Sequence, residues 1–495
     1  MAGPAVSFAD VVHAQARRDA RAPAITHEHG TLDYGELARR IDAAAARLAG
    51  EWGVGQGDRV AWLGLNDPAQ LVLLFALARI GAILLPLNFR LAPPEWDAQL
   101  AHCTPSVLVH DSAWADAARA LAQRHALAVH PAEAVMHAEP IAIATAAPDR
   151  AQADAPVLLV FTSGTTGAPK AAVHTQANLL ANMDIASRAQ GMGSGDKVLT
   201  VLPLFHVGGL CIQTLPALYR GAHVIVQPRF APEAVFDALE RERPTLTLQV
   251  PATMKALVEH PRWARADLSC LRALWAGSSL IPAPLIAAVH ARGVPVCNVY
   301  GSTETGPFSI ALGPAEAMRK AGSCGWPAAG VEAKLTDVRD GAGEVLVRGA
   351  NVVRRYWPGK PACDAGGWFH TGDLARQDAD GSFTIVGRAK DLVISGGENI
   401  HPGEVEAALA LHDAVLECAA FGVPDPEWGE VVAAAVVMRP GASVDEATLR
   451  AHLASRIARY KLPRRWLFLD ALPKTALGKV QRGVLARIAG GARAG

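Results

Sequence analysis

The chain has 495 residues, of which 51% are hydrophobic and 19% are charged. This length exceeds the size at which one hydrophobic core stops growing, so two or more domains are expected, and the apolar composition excludes a disordered protein. The 47 basic and 47 acidic side chains cancel, so no net charge attracts a phosphate backbone or an anionic bilayer, and nucleic-acid binding is not expected.

The beginning of the chain and the cysteines favour a cytoplasmic protein. Residues 1–20 carry charged side chains and no apolar stretch of signal-peptide length. The seven cysteines are scattered and form no CxxC pair, which favours a reducing compartment without structural zinc. The longest apolar run, Leu71 to Leu87, is shorter than the ~20 residues of a membrane helix and contains Arg79, Gly81 and Pro86. We predict a buried helix followed by a buried strand there.

Short apolar runs alternate with longer helical patterns in the first part of the chain. This alternation predicts α/β layers with buried, largely parallel strands. The runs are Val157 to Phe161, Val198 to Leu202, Val224 to Val226, Leu246 to Val250 and Pro295 to Val299.

After Asp340 the sequence changes to strand and turn signals. Hairpin turns are expected at 340–343 and 378–381, which predicts a smaller β-rich module. From Asp391 onward, helical patterns at Gly403 to Leu411 and Asp445 to Arg459 indicate a compact α+β segment. The predicted fold is therefore α/β, with a large N-terminal domain of α/β-layered subdomains plus the β-rich module, residues 1–389, and a small mobile α+β C-terminal domain, residues 390–495.

The densest polar motif directly follows the apolar run that ends at Phe161. Its candidate phosphate-binding residues are Thr162, Ser163, Gly164, Thr165, Thr166, Gly167 and Lys170. Glycines let the backbone curl until its N–H groups converge on phosphate oxygens, hydroxyls add donors, and the lysine adds positive charge. The motif predicts a phosphate-binding loop, although not the GxxxxGK[ST] loop of P-loop NTPases, whose mechanism does not transfer.

Six further motifs follow at intervals along the chain. They are Leu202 to Gly209, Tyr300 to Glu304, Trp368 to Leu374, Gly387 to Asp391, Ser395 to Asn399 and Pro473 to Lys479. With them the sequence resembles the adenylate-forming (AMP-binding) superfamily, which contains acyl-CoA synthetases, peptide-synthetase adenylation domains and beetle luciferases. Because the motifs occur in family order over nearly the whole chain, the sequence is identified as a member of this superfamily.

The resemblance implies roles for the motif around Tyr300. Tyr300 is expected to stack on adenine beside Gly301, Thr303 to bond the α-phosphate, and Glu304 to hold Mg²⁺. A carboxylate is a natural ligand for a hard cation that bridges phosphates, and an aromatic face suits a purine. Gly277 and Ser278 occupy the place where the family usually has a Gly-Gly-Ala-Pro-like stretch against the adenine, so the sequence departs slightly from the pattern there.

The remaining motifs imply the catalytic and moving parts. By resemblance, Asp373 binds the ribose hydroxyls, Arg388 contacts ribose and phosphate, and Lys390 is the hinge about which the C-terminal domain rotates. Lys479 resembles the lysine that enters the active site for adenylation, where an ammonium stabilises the developing charge. His206 matches the residue that gates the acyl pocket.

A second set of residues is expected to bind coenzyme A (CoA) and the acyl group. Ser395, Gly396 and Gly397, together with Trp428 and Tyr460, resemble positions at the CoA site, although an aromatic residue on a domain surface is more often a packing residue. The acyl pocket should be lined by Val207, Gly208, Ala276, Pro307 and Phe308. These residues are apolar or small and offer no cation for a second carboxylate, and a buried unpaired charge is costly.

The resemblance therefore implies an ATP- and Mg²⁺-dependent acid:CoA ligase. Its substrate is expected to be an aromatic or short-to-medium-chain monocarboxylic acid rather than a malonate-like diacid. Three alternatives stay open: an o-succinylbenzoate–CoA ligase, an enzyme that loads a carrier protein, and a luciferase-like oxidase. A catalytically dead scaffold is disfavoured because Lys170, Glu304, Asp373 and Lys479 are all present. The expected partners are the acid, ATP and CoA, and a homodimer is left open.

Overall fold

The structure is a computed structural model that describes residues 7–137, 153–162, 170–277, 280–395, 398–475 and 478–491. Among these residues, one sheet has nine strands, and its central six run parallel. In spatial order its strands are Trp326–Pro327, Ile310–Leu312, Val296–Tyr300, Ala273–Gly277, Leu246–Gln249, Lys197–Thr200, His223–Val226, Pro23–His27 and Gly30–Asp33.

A second sheet of eight strands lies beside it in the N-terminal domain and has five parallel strands at one end. Its order is Lys360–Pro361, Arg355–Tyr356, Lys170–Thr175, Pro156–Thr162, Ile83–Pro86, Arg59–Leu63, Val107–His110 and Ala128–Pro131. The apolar runs thus form buried strands, largely parallel, as the sequence predicts.

Helices cover both sheets. In the N-terminal domain they are Val11–Arg18, Tyr34–Gly50, Pro68–Ile80, Pro93–Cys103, Ala115–His125, Ala132–Met136, Gln176–Ala189, Val207–Gly209, Leu215–Arg220, Pro232–Arg241, Pro251–Val258, Ala283–His290 and Pro314–Ala317, with a π-helical turn at Leu210–Thr214. None of the described helices combines the length and apolar character needed to cross a bilayer.

The predicted buried helix and strand between Leu71 and Leu87 are confirmed. The helix Pro68–Ile80 is apolar on all sides because it packs against the helix Tyr34–Gly50 on one side and against sheet strands on the other. It begins at Asp67, whose side chain accepts a hydrogen bond from the Ala69 N–H, and it ends at Gly81, which has the positive φ of 74° that a C-cap favours.

The β-rich module after residue 330 is a four-stranded antiparallel sheet. Its strands are Val331–Arg339, Ala342–Gly349, Phe369–Gln377 and Phe383–Arg388. Both predicted hairpins form, and at the first turn Asp340 and Gly341 have φ values of 52° and 76°, as a type I′ turn requires. This sheet holds Asp373 and Arg388 on neighbouring strands.

The C-terminal part has its own sheet and its own core. The sheet comprises Glu398–Ile400, Val393–Ser395, Gly429–Met438 and Val415–Asp425, with Arg465–Phe468 parallel to Gly429–Met438; the helices are Pro402–Leu409, Glu446–Ala454 and Arg482–Ala489. Its buried side chains form two clusters separate from the large N-terminal core. The predicted α/β fold with a large N-terminal and a small C-terminal domain is confirmed, while the boundary at 389/390 stays a prediction.

Candidate active site

Four neighbouring parallel strands of the nine-stranded sheet end at Tyr300, Gly277, Gln249 and Thr200 along the same edge. In α/β sheets, ligands bind outside the carboxyl ends of the strands. The chain that leaves these ends carries His206 and the Thr303–Thr305 turn. The motif residues therefore converge on one edge of the sheet.

The carboxylate of Asp373 is fixed by two predicted nucleotide-binding residues. The Tyr300 hydroxyl donates to Asp373 Oδ2 at 2.9 Å, and Arg388 Nε lies 2.8 Å from Asp373 Oδ1. Burial raises the pKa of Asp373, whereas the charge of Arg388 and the Tyr300 hydrogen bond act to lower it. The structure thus brings Tyr300, Asp373 and Arg388 together.

A tyrosine that the sequence analysis missed links Lys170 to Glu304. Tyr356 donates its hydroxyl proton to Glu304 Oε1 at 2.9 Å, and the Lys170 ammonium lies 5.5 Å from the centre of the Tyr356 ring. Burial and the negative charge of Glu304 raise the pKa of Tyr356, so the hydroxyl stays protonated and can donate at neutral pH. Tyr356 lies outside every motif, in a two-residue strand that pairs with Ala172, so no pattern in the sequence marks it.

The predicted phosphate loop connects two antiparallel strands. Thr162 pairs with Lys170 across these strands, and its hydroxyl donates to the Lys170 carbonyl oxygen at 3.5 Å. Several predicted site residues lie outside the described residues: Ser163, Gly164, Thr165, Thr166, Gly167, Ser278, Gly396 and Gly397. The positions of Thr162 and Lys170 nevertheless fix the two ends of the loop.

Glycines allow the backbone to pack closely at the strand ends. A β-carbon on Gly301 would lie 1.9 Å from the Pro307 carbonyl oxygen, and one on Gly277 would lie 2.4 Å from the Val299 carbonyl oxygen. Both separations are far below van der Waals contact. Thr303 and Glu304 follow Gly301 in a short 3₁₀ turn, where Thr303 is buried and Glu304 is half-buried.

His206 presents a defined tautomer to the site. Its Nδ1 accepts the Gly208 N–H at 3.0 Å, so the proton of the neutral ring is on Nε2, which is left as a donor. Burial lowers the pKa of His206 to about 4, and the positive charge of Lys479 adds to this effect. The ring is therefore neutral at pH 7.

Lys479 reaches from the C-terminal domain to the residues of the N-terminal site. Its backbone closes a turn with Thr475, in which the Thr475 N–H donates to the Lys479 carbonyl oxygen at 2.7 Å. Desolvation, with the charges of Arg388 and Lys390, lowers the pKa of Lys479, while Asp373 and Glu304 oppose the shift. The residue as a whole stays exposed, so we attribute the desolvation to protein atoms around the ammonium rather than to full enclosure. The structure thus places Lys479 near Glu304 and Asp373.

Lys390 lies between the two domains. It is exposed in the 3₁₀ turn Ala389–Asp391, which joins the last strand of the four-stranded sheet to the first strand of the C-terminal sheet, Val393–Ser395. This location suits a hinge, and the hinge role itself stays a prediction.

The predicted CoA residues lie on the C-terminal domain. Ser395 pairs with Gly429 across two strands, which places it beside Trp428, and the Arg464 guanidinium lies 4.2 Å from the centre of the Trp428 ring. Trp428 and Tyr460 are 36% and 47% exposed, so each ring has surface available for a ligand. Their role in CoA binding stays a prediction.

The predicted acyl-pocket residues are all buried at the carboxyl edge of the nine-stranded sheet. These are Val207, Gly208, Ala276, Pro307 and Phe308. The Phe308 ring lies 5.7 Å from that of Trp275, which is fully buried. A small cavity nearby is lined by residues that include Leu202, Gly209 and Leu248. A larger apolar cavity is lined by residues that include Phe236 and Trp263.

Comparisons with known proteins agree with this arrangement. The model of the AMP-binding enzyme family matches residues 12–357, and the model of the AMP-binding enzyme C-terminal domain matches residues 404–479. An indoleacetate–CoA ligase from Aromatoleum aromaticum is 44% identical over 93% of this chain and 93% of its own length. A feruloyl-CoA synthase from Amycolatopsis sp is 41% identical over 96% of this chain and 97% of its own.

A solved structure is also similar over nearly the whole chain. It is an o-succinylbenzoate CoA synthetase from Bacillus subtilis in complex with its acyl-adenylate intermediate, with a TM-score of 0.85 and 30% identity over 96% of this chain and 97% of that one. The family predicted from the motifs is confirmed, and this chain belongs to the AMP-binding enzymes.

Proposed function

We propose that this enzyme is an AMP-forming acyl-CoA synthetase that acts on an aromatic monocarboxylic acid. The observation that carries the proposal is the position of Lys479, which extends from the C-terminal domain to Glu304 and Asp373. An ammonium close to these carboxylates, which are expected to hold ATP, supports the first half-reaction.

In the first half-reaction, a carboxylate oxygen of the acid attacks the α-phosphorus of ATP, and pyrophosphate leaves. Asp373, fixed by Tyr300 and Arg388, accepts hydrogen bonds from the ribose hydroxyls. Lys479 stabilises the negative charge that develops between the carboxylate and the α-phosphate. His206 offers its Nε2–H as a neutral donor on the acyl side of the site.

The residues present fit a Mg²⁺ ion that arrives with ATP. No group of three or more His, Cys, Asp or Glu side chains in the described part of the chain could hold a metal alone. Mg²⁺ usually binds through one or two carboxylates together with substrate phosphates, so Glu304 is a sufficient protein ligand. The ion would neutralise phosphate charge, and Tyr356 would orient the Glu304 carboxylate.

In the second half-reaction, the CoA thiolate attacks the acyl carbon and AMP leaves. Ser395, Trp428 and Tyr460 are the residues that would contact CoA, and rotation about Lys390 would bring them to the acyl adenylate. Lys390→Pro tests this rotation, because proline fixes φ and should impair thioester formation while sparing adenylation. Normal CoA-dependent turnover of that variant would exclude Lys390 as the hinge.

The lining of the acyl pocket supports an aromatic acid. The buried side chains around Phe308 and Trp275 are apolar, and two relatives, an indoleacetate–CoA ligase and a feruloyl-CoA synthase, are named for aromatic acyl groups. The second candidate is o-succinylbenzoate, because a synthetase for that acid has the same fold over nearly the whole chain. Its second carboxylate would need a cation, and the predicted lining residues provide none.

The test is pyrophosphate release from ATP over a panel of acids, each with and without CoA. We expect the highest kcat/KM with indoleacetate or cinnamate-type acids, lower values with hexanoate and o-succinylbenzoate, and the lowest with malonate. A clear preference for malonate would contradict the apolar pocket. Acid-dependent adenylation without any CoA thioester would favour the carrier-protein alternative. The homodimer stays a prediction, which light scattering in solution tests. The cytoplasmic location also stays a prediction.

A further inference from the structure

Glu404 makes a polar contact that crosses from the N-terminal to the C-terminal domain. Glu404 lies in the first turn of the helix Pro402–Leu409. Arg376 of the four-stranded sheet donates to its Oε1 at 2.7 Å, and the Lys461 ammonium contacts its Oε2. Arg376 precedes the predicted hinge and Lys461 follows it. One carboxylate therefore joins a cation of each domain.

The backbone at this point fits closely against the N-terminal domain. A β-carbon on Gly403 would lie 3.0 Å from the Val386 carbonyl oxygen and 2.9 Å from Leu280 Cδ1. The start of the helix is therefore in direct contact with the strand Phe383–Arg388. Glu404 is held at this contact, with its side chain only 17% exposed.

We propose that Glu404 and Arg376 form a latch that positions the C-terminal domain, and with it Lys479, for adenylation, and that opens for thioester formation. This inference rests on the proposed two-step function. Glu404 and Arg376 are positioning residues because they act through Lys479 and are not expected to touch the substrates. Two other contacts cross the same interface, and their partners are farther from Lys390 in sequence: Arg439 with Glu259 at 3.3 Å and Lys255 with the Leu416 carbonyl oxygen at 3.0 Å.

The contact can open without leaving a buried charge alone. When the domains separate, Glu404 keeps Lys461, which belongs to the same domain. The Arg376 side chain is already 45% exposed, so water replaces its partner. Removing one partner of a fully buried ion pair would instead be strongly unfavourable. An ion pair of this exposure shifts an equilibrium by a factor of about two to five, which biases the domains without locking them.

The test separates the two half-reactions in Arg376→Gln and Glu404→Gln. We expect adenylation, measured as acid-dependent pyrophosphate release without CoA, to fall about two- to fivefold in each variant. Thioester formation from supplied acyl adenylate should stay the same or become faster. Arg376→Lys should recover most of the adenylation rate. Equal losses in both steps, or no loss in adenylation, would overturn the latch.

A matched control is Arg348→Gln. Arg348 forms an exposed ion pair with Glu332 inside the four-stranded sheet, at 2.6 Å, and this pair does not cross the interface. We expect neither half-reaction to change, and melting temperatures near that of the wild type should show that all variants fold. If the wild-type enzyme releases no pyrophosphate with any acid, the proposed function fails. If it does so and the variants keep wild-type rates, only the latch fails.

Discussion

The nucleotide site and the domain interface differ in the polar contacts that hold them. At the site, backbone atoms approach until no side chain fits at Gly277 or Gly301, and both oxygens of Asp373 are fixed. At the interface, close packing at Gly403 is accompanied by two partly exposed ion pairs and by a hydrogen bond from Lys255 to the Leu416 carbonyl oxygen. Close packing forbids alternative arrangements, whereas exposed charges exchange partners with water at low cost. The fold is thus closely packed where geometry decides the chemistry and held in part by exposed ion pairs where we propose that a domain moves.

The largest expected effect on the adenylation rate comes from Lys479, which belongs to the C-terminal domain and acts at the nucleotide site. Lys479→Ala should slow adenylation about 10²–10³-fold, equivalent to roughly 3–4 kcal/mol, because the developing charge loses its ammonium. Thioester formation from synthetic acyl adenylate should be nearly unchanged. Lys474→Ala is the control, since Lys474 pairs with Glu417 inside the C-terminal domain. Equal loss in both half-reactions would contradict the assignment of Lys479.

A substitution in the closely packed nucleotide site should also reduce adenylation strongly, because it destabilises the folded protein. Gly301→Ala places a methyl group against the Pro307 carbonyl, which must shift. We therefore expect the free energy of unfolding to fall by about 3 kcal/mol and most of the adenylation activity to be lost. Urea denaturation measures the first quantity. Gly313→Ala is the control, because a β-carbon there meets no heavy atom within 4 Å. Similar behaviour of the two variants would show that the strand ends are not tightly packed.

The N-terminal domain also contains a buried histidine, His174, that should make its stability depend on pH. His174, on the strand that follows the phosphate loop, is fully buried, and neither ring nitrogen has a hydrogen-bond partner in the described residues. Burial lowers its pKa to about 4. Because the pKa in the folded state is below that in the unfolded state, the unfolded state binds the proton first. The stability from neutral His174 is complete above pH 6.5 and is lost as the pH falls toward 4, by about 3 kcal/mol.

His174→Leu should therefore flatten the fall in stability between pH 6.5 and 4 and raise stability at pH 7 by about 1 kcal/mol, because two unpaired polar atoms disappear. Urea denaturation at several pH values measures both effects. His29→Asn is the control, since the His29 side chain is 77% exposed. An unchanged pH profile in His174→Leu would mean that His174 finds a partner.

The smallest effect is expected at the edge of the interface. Arg439→Gln removes the ion pair with Glu259, in which both side chains are nearly half exposed, so the free energy of unfolding should change by less than about 1 kcal/mol. Differential scanning calorimetry checks this. A loss of several kcal/mol would mean that the interface is as rigid as the nucleotide site.

Much of the fold could be predicted because its signals are local. The apolar runs gave buried parallel strands, and the hairpin at Asp340 needed only its turn residues. Motif residues such as Tyr300, Asp373 and Arg388 do lie together, as the resemblance implied. The remaining contacts arise from tertiary packing, which leaves no local pattern.

Tyr356 and Glu404 show what the sequence could not indicate. Tyr356 meets Glu304 only because a two-residue strand pairs with the strand after the phosphate loop. Glu404 meets Arg376 across the two domains, and an acidic residue in the first turn of a helix is ordinarily explained by the helix dipole alone. Both partnerships depend on residues distant in sequence.

The reach of Lys479 into the N-terminal site has a thermodynamic consequence. In the proposed mechanism, Lys479 adds its charge to the nucleotide site only when the domains are docked, so we expect ATP to bind the docked and undocked forms with different affinities. By linkage, the factor by which docking strengthens ATP binding equals the factor by which ATP favours docking. We therefore expect nucleotide concentration to influence domain orientation. Loss of pyrophosphate would remove negative charge near Lys479 and so weaken the attraction between the domains.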